Sequence, residues 1–132
     1  MFIQNIEYDL RSPVSTQVPT FNGTKVVWQT PGAASFSVIT YNIDSGDSPY
    51  TISEAGGYVN VFADTSGGDI TVNLPTMVTF TGVINIKKTN AGNTLTIEPA
   101  GAELIDGAGN KTVTTNNFNT QIVSDGTNAQ II

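Results

Sequence analysis

The stretch Gly68-Asp69-Ile70-Thr71-Val72-Asn73-Leu74-Pro75 decides the fold class. Apolar side chains at 70, 72 and 74 alternate with polar ones at 71 and 73. That period of two sends successive side chains to opposite faces of a strand. Glycine opens the run and proline closes it, as turn chemistry requires. The same texture recurs on either side. Tyr58 to Ala63 places Val59 and Val61 on one face, and Gly82 to Thr89 does so with Ile84 and Ile86. Leu95 and Ile97 alternate with Thr94, Thr96 and Glu98 up to Pro99. Lys111 to Thr115, Gln121 to Ser124 and Asn128 to Ile132 complete the set, after a glycine-rich piece from Ala100 to Asn110 that holds a short Leu104-Ile105 run. Thr65-Ser66-Gly67-Gly68, Asn90-Ala91-Gly92-Asn93, Asp106-Gly107 and Asp125-Gly126 are the turn signals between them. Strands at this rhythm read as hairpins, so the fold expected is all-β: a small β-sandwich or jelly-roll-like module without a strict internal repeat. Helix formers never cluster; Ser53-Glu54-Ala55 reads as a single turn capped by Ser53.

Residues 1–47 read differently and are expected to form an N-terminal arm or small β-element, with the β-module spanning 48–132. Pro13, Pro19 and Pro31 break this region into pieces. Asn22-Gly23 is a two-residue hairpin signal, followed by a strand from Thr24 to Trp28. Phe36 to Tyr41 is another strand candidate, and Ile43 to Pro49 is the most linker-like stretch.

The chain has 132 residues, a net charge of −6 and only 12% charged residues. One domain with an appended segment suits that length. Clustered cations, which phosphate neutralisation needs, are missing: the lone basic pair, Lys87-Lys88, points to opposite faces of a strand. Nucleic acid is therefore not an expected partner. There is no cysteine, which excludes disulfides, thiolate metal sites and a cysteine nucleophile. No apolar run reaches the roughly 18 residues of a membrane span. The start, Met1 to Asn5, lacks the features of a secretion signal, so synthesis in a cytoplasm is expected.

The absence of histidine removes most triads, most zinc sites and the usual proton shuttle at neutral pH. Paired carboxylates could support glycoside hydrolysis, and Glu98, Glu103 and Asp106 lie close in sequence. Their positions before Pro99, in a loop and before Gly107 read instead as turn chemistry. Asp44, Asp47, Asp64 and Asp69 raise the question of calcium, but nothing matches a twelve-residue ligand loop, and solvated turn residues are the simpler reading. Gly56-Gly57 and Gly67-Gly68 precede no helix, so they are not phosphate loops. No cofactor is expected. The aromatic residues, among them Trp28, Tyr41, Tyr50, Tyr58, Phe62, Phe80 and Phe118, exceed what the aliphatic inward set needs, and a subunit interface is the expected second place of burial.

The order of these pieces carries a resemblance. Gly57-Tyr58-Val59-Asn60-Val61, Gly68 to Pro75, Gly82 to Thr89, Asn93 to Pro99, Ile105-Asp106-Gly107 and Ser124-Asp125-Gly126-Thr127-Asn128 together resemble the β-rich trimeric module at the ends of bacteriophage fibre, tail and head-decoration proteins. The likeness covers about Tyr50 to Ile132. It implies a non-enzymatic virion protein, a homotrimer made in the bacterial host and carried on the virion surface. By that resemblance Phe2, Ile3, Ile6, Tyr8 and Leu10, with Thr24 to Trp28, anchor the chain to a major capsid or other virion protein. Tyr58, Phe62, Phe80 and Phe118 line the trimer interface. The few residues ahead of the module leave no room for a shaft, which favours a head fibre or capsid decoration protein. A tail-fibre tip that binds host surface carbohydrate is the alternative. Relatives commonly carry an aromatic after the final Asp-Gly-Thr-Asn; Ala129 stands there in this chain.

Overall fold

The computed structural model describes residues 7–8, 18–21, 25–29 and 37–132. Two compact units emerge, Met1–Ser35 and Phe36–Ile132. In the first, β1 (Glu7–Tyr8), β2 (Val18–Phe21) and β3 (Lys25–Gln29) form a sheet of order β1-β3-β2. β2 and β3 pair antiparallel from Val18↔Gln29 to Phe21↔Val26, whereas a two-residue turn at Asn22-Gly23 would set Phe21 against Thr24; Asn22 and Gly23 themselves lie outside the described residues. Pro19 sits on an edge strand, the position in a sheet where proline is tolerated. Tyr8 lies in β1, opposite Val26. Phe2, Ile3, Ile6 and Leu10 lie outside the described residues.

The second unit is built from β4 (Val38–Asp44), β5 (Tyr50–Thr51), β6 (Gly56–Asp64), β7 (Ile70–Asn73), β8 (Thr81–Lys88), β9 (Leu95–Glu98), β10 (Lys111–Val113), β11 (Asn119–Ser124) and β12 (Ala129–Ile131). They make a five-stranded sheet, β12-β11-β8-β6-β4, and a four-stranded sheet, β10-β9-β7-β5. From β4 to β9 the chain changes sheet at every strand. β4, β6 and β8 therefore stack in parallel, as do β5, β7 and β9. The result is three coils of a two-sheet β-solenoid. β10 then turns back antiparallel against β9, β11 against β8 and β12 against β11, closing the last coil.

An all-β fold is what the alternating pattern predicts. The winding differs from the hairpin and jelly-roll reading. Thr65 to Gly68 and Asn90 to Asn93 pass the chain from one sheet to the other and do not fold it back on itself. A two-residue period marks which face a side chain takes but is the same in parallel and antiparallel strands. The Asp125-Gly126 turn does close an antiparallel pair, Ser124↔Ala129. The unit boundary also differs from the expected one near 47. Val38–Asp44 pairs with β6 along its whole length, from Val38↔Tyr58 to Asp44↔Asp64, so this strand belongs to the solenoid. The linker-like stretch after it is the corner of the first coil: a 3-10 turn, Ser45–Asp47, closed by a capping box between Asp44 and Asp47. No helical turn forms at Ser53-Glu54-Ala55.

The core lies between the two sheets. Val59, Val61 and Ala63 from β6, Ile84 and Ile86 from β8, Ile70 and Val72 from β7, and Leu95 and Ile97 from β9 form one buried cluster with Ile122 of β11. Register stacks like on like: Val59, Ile84 and Ile122 make one inward row, and Ile70, Leu95 and Val113 another. β-branched side chains suit these rows because their stiff rotamers pack against identical neighbours on the pleat. Burying each is worth about 1.5–3 kcal/mol.

Candidate functional site

Three loops of the second unit meet around a cleft of about 500 Å³, lined by Thr76, Val78, Ala100, Gly101, Ala102, Glu103, Thr127 and Asn128. The β7–β8, β9–β10 and β11–β12 connections supply these residues. Glu103 is its only carboxylate. Its Oε1 accepts from the Thr76 hydroxyl at 2.5 Å and its Oε2 from the Met77 amide at 2.8 Å, so both oxygens hold the neighbouring loop in place. Asn128 Oδ1 accepts from the Leu104 amide at 2.9 Å. What faces the opening is small and apolar: Val78, 61% exposed, beside Ala100 and Ala102. The arrangement can seat a small apolar edge among hydroxyl and amide groups. It offers no pair of carboxylates, which acid–base hydrolysis needs.

The other candidate carboxylates are similarly engaged. Asp106 Oδ1 accepts from the Ile131 amide at 2.9 Å, tying the β9–β10 loop to β12. Glu98, on the outer side of β9, accepts from Asn110 Nδ2 at 3.4 Å. Among the four aspartates considered for calcium, Asp44 accepts from the Gly46 amide at 2.7 Å and Asp47 from the Asp44 amide at 3.0 Å. Asp64 accepts from the Ser66 amide at 2.9 Å, which holds its carboxyl below the usual range, and Asp69 accepts from the Thr94 amide at 2.7 Å. Among the described residues no three acidic side chains gather as a metal site would require. Asp125 is the best-capped carboxylate: amides of Asn128 and Thr127 donate to Oδ1 and the Gln130 amide to Oδ2, lowering its pKa.

A tyrosine pair closes the first coil. The rings of Tyr41 and Tyr50 lie 5.4 Å apart, tilted by 52°, and pack against the core cluster. The Tyr41 hydroxyl donates to Glu54 Oε1. That hydrogen bond, with burial and the Glu54 charge, pushes the Tyr41 pKa up to about 12. Burial raises Tyr50 as well, followed by the Glu54 charge. Glu54 Oε2 is buried without a hydrogen-bond partner among the described residues. Sequence reasoning missed this trio, because Glu54 has no patterned neighbour and reads as a turn residue.

Lys88 is a second feature without a sequence signal. It occupies an inward position, Ile86 before it in the core, and is fully buried. Its Nζ donates to the carbonyls of Asn90 and Gly92, the latter at 3.1 Å, and the Thr65 hydroxyl donates to the same two oxygens. Asn93 Nδ2 donates to the Thr65 carbonyl at 2.7 Å. The buried ammonium thus satisfies turn carbonyls at the corner of the third coil.

The expected interface aromatics fall into two groups. Tyr58 and Phe62 are half-buried on the outer face of β6, in positions opposite to the inward Val59, Val61 and Ala63. Phe118 packs half-buried against the core. Phe80 differs from expectation: it is 4% exposed inside this chain's own core, where the loop after β7 folds back so that its amide donates to the Thr76 carbonyl, and no surface of it is left for another chain. Ala129 is fully buried in β12, its amide and carbonyl bonded to Leu104 and Asp106, so a large ring there would not fit.

The outer face of the five-stranded sheet carries an amide row. Thr40, Asn60, Asn85 and Gln121 stand in register across four strands. Asn85 Nδ2 donates to Asn60 Oδ1 at 3.2 Å, and Asn60 Nδ2 to the Thr40 hydroxyl at 3.5 Å. Gln121 Nε2 reaches the Tyr58 hydroxyl at 3.4 Å. Among the described residues no helix is long and apolar enough to cross a membrane. No protein-family model matches the chain, and no curated protein matches it either.

Proposed function

We propose that this chain is a non-enzymatic structural protein of a bacteriophage virion, a homotrimeric head fibre or capsid decoration protein held to the shell by its N-terminal unit. One observation carries the reading. The carboxylates that the sequence offers for catalysis, Glu98, Glu103 and Asp106, each accept a hydrogen bond that braces a loop or strand, while Tyr58 and Phe62 stand outside the core on a sheet face. Polar atoms spent on bracing and aromatics left for another surface suit a building part better than a catalyst. A parallel solenoid with bonded side-chain rows supports the same reading, since it makes a stiff rod-like element from few residues. Localisation on the virion and docking to the major capsid protein belong to this proposal. An antibody raised against residues 37–132 should decorate the heads of phage particles that encode the chain. Particles that stay bare, or label only at the tail, contradict the head assignment.

The alternative, a tail-fibre tip that binds host carbohydrate, draws on the cleft, where Thr76, Thr127 and Asn128 stand beside apolar Val78. A glycan array probed with the whole chain tests it. Binding lost in Val78→Asp would support the cleft as the site, and a blank array would remove this reading.

A further inference from the structure

We infer that copies of this chain meet through the outer face of the five-stranded sheet, an assignment that rests on the self-assembling reading above. The two sheets share one core, yet their outer faces differ in kind. On the four-stranded sheet the outward strand positions are Thr51, Thr71, Asn73, Thr96, Glu98 and Thr112, without an apolar side chain. On the five-stranded sheet Val38, Tyr58 and Val83 stand side by side in register, and Val123, one residue beyond the Ile122↔Ile84 pair, continues the row. Phe62 adds a ring four residues along β6 from Tyr58, beyond Asn60 on the same face. Scattered apolar residues are normal on a surface, but a contiguous row across four strands marks an interaction face.

Charge points to a second copy as the occupant. The chain carries −6, and identical copies repel wherever acidic surfaces approach. Within the strands of this face the outward charges are Lys87, Asp44 and Asp64, gathered at one end, where Asp44 and Asp64 stand in register and Lys87 pairs with Phe62; the apolar row and the amide row carry none. Those two rows are therefore a surface on which like-charged copies can come together at little electrostatic cost. The amide row beside the apolar one, with groups that both donate and accept, can pair with its own kind. Its size is sufficient. Five strands spaced about 4.8 Å apart and about 20 Å long give on the order of 480 Å² of flat area per copy, so three such faces turned towards one axis cover roughly 1,400 Å² in all.

The absence of native cysteine makes the test direct. Asn60→Cys places one thiol in the amide row, and Thr96→Cys places one on the opposite face. In the full chain, oxidation should link Asn60→Cys copies at least about tenfold faster than Thr96→Cys copies, because contact raises the effective thiol concentration. Tyr58→Lys should lower the solution mass to that of a single chain, while Thr96→Lys leaves it at the wild-type value; circular dichroism checks that both remain folded. If Tyr58→Lys fails to fold, the cross-linking rates decide alone. A wild-type chain that assembles while Asn60→Cys links no faster than Thr96→Cys overturns this surface and leaves assembly standing. A wild-type chain of single-chain mass overturns both.

Discussion

Gly82 has no room for a side chain. A Cβ built there would lie 1.9 Å from the carbonyl oxygen of Gly57, its register partner on β6. Gly57 itself has φ of 92°, in the left-handed region, and a Cβ there would press on the Ser37 carbonyl at 2.8 Å. The two glycines let three strands approach at the start of the stack. Gly82→Ala should therefore cost at least about 3 kcal/mol in denaturant unfolding, whereas Gly109→Ala, with open space around it, should stay within about 0.5 kcal/mol. Equal stabilities would refute the close approach. Tyr41 makes the stability of the chain depend on pH in the alkaline range. Its folded pKa stands above the unfolded value near 10, so the stability it contributes is complete below that pH and fades as pH rises towards about 12. Absorbance titration should show a late tyrosinate phase that Tyr41→Phe removes; a wild-type titration without that phase would contradict the Glu54 hydrogen bond.

At the scale of the elements, the solenoid was partly legible in the chain. Alternation in Ile70-Thr71-Val72-Asn73-Leu74 identifies a strand and its inward side chains, and all of Ile70, Val72 and Leu74 are buried. The partner of each strand was not legible, because strand pairing direction leaves the alternation unchanged. A repeat was nevertheless present. Gly57-Tyr58-Val59-Asn60-Val61 and Gly82-Val83-Ile84-Asn85-Ile86 align position by position, and the structure sets them in register. Ile70-Thr71-Val72-Asn73 and Leu95-Thr96-Ile97-Glu98 follow at the same offset of 25 residues. The first coil breaks the pattern, with offsets of 20 from Ile39 to Val59 and 22 from Tyr50 to Val72, which hides it from a search for strict periodicity. Lys88 was illegible for another reason: a lysine in a strand normally reads as solvated, and only the corner carbonyls explain its burial. Lys88→Met should destabilise the chain by about 1–3 kcal/mol, the cost of leaving buried carbonyls short of donors. An unchanged or raised unfolding midpoint would show that Thr65 and the repacked corner satisfy those carbonyls alone. The cleft had no sequence signature, since Thr76, Ala102 and Asn128 come from separate loops that only the winding brings together.

The second unit combines a coiled body with a polar outer face on its four-stranded sheet and an apolar row on its five-stranded sheet. On the function proposed above, the chain works as an assembly of three copies and not as an isolated unit. Because the copies share a net charge of −6, added salt should strengthen the assembly by screening their repulsion. The most direct measurement is the mass of the purified full chain by multi-angle light scattering at micromolar concentration. A trimer gives three times 13.9 kDa. A stable, folded species at 13.9 kDa would contradict it.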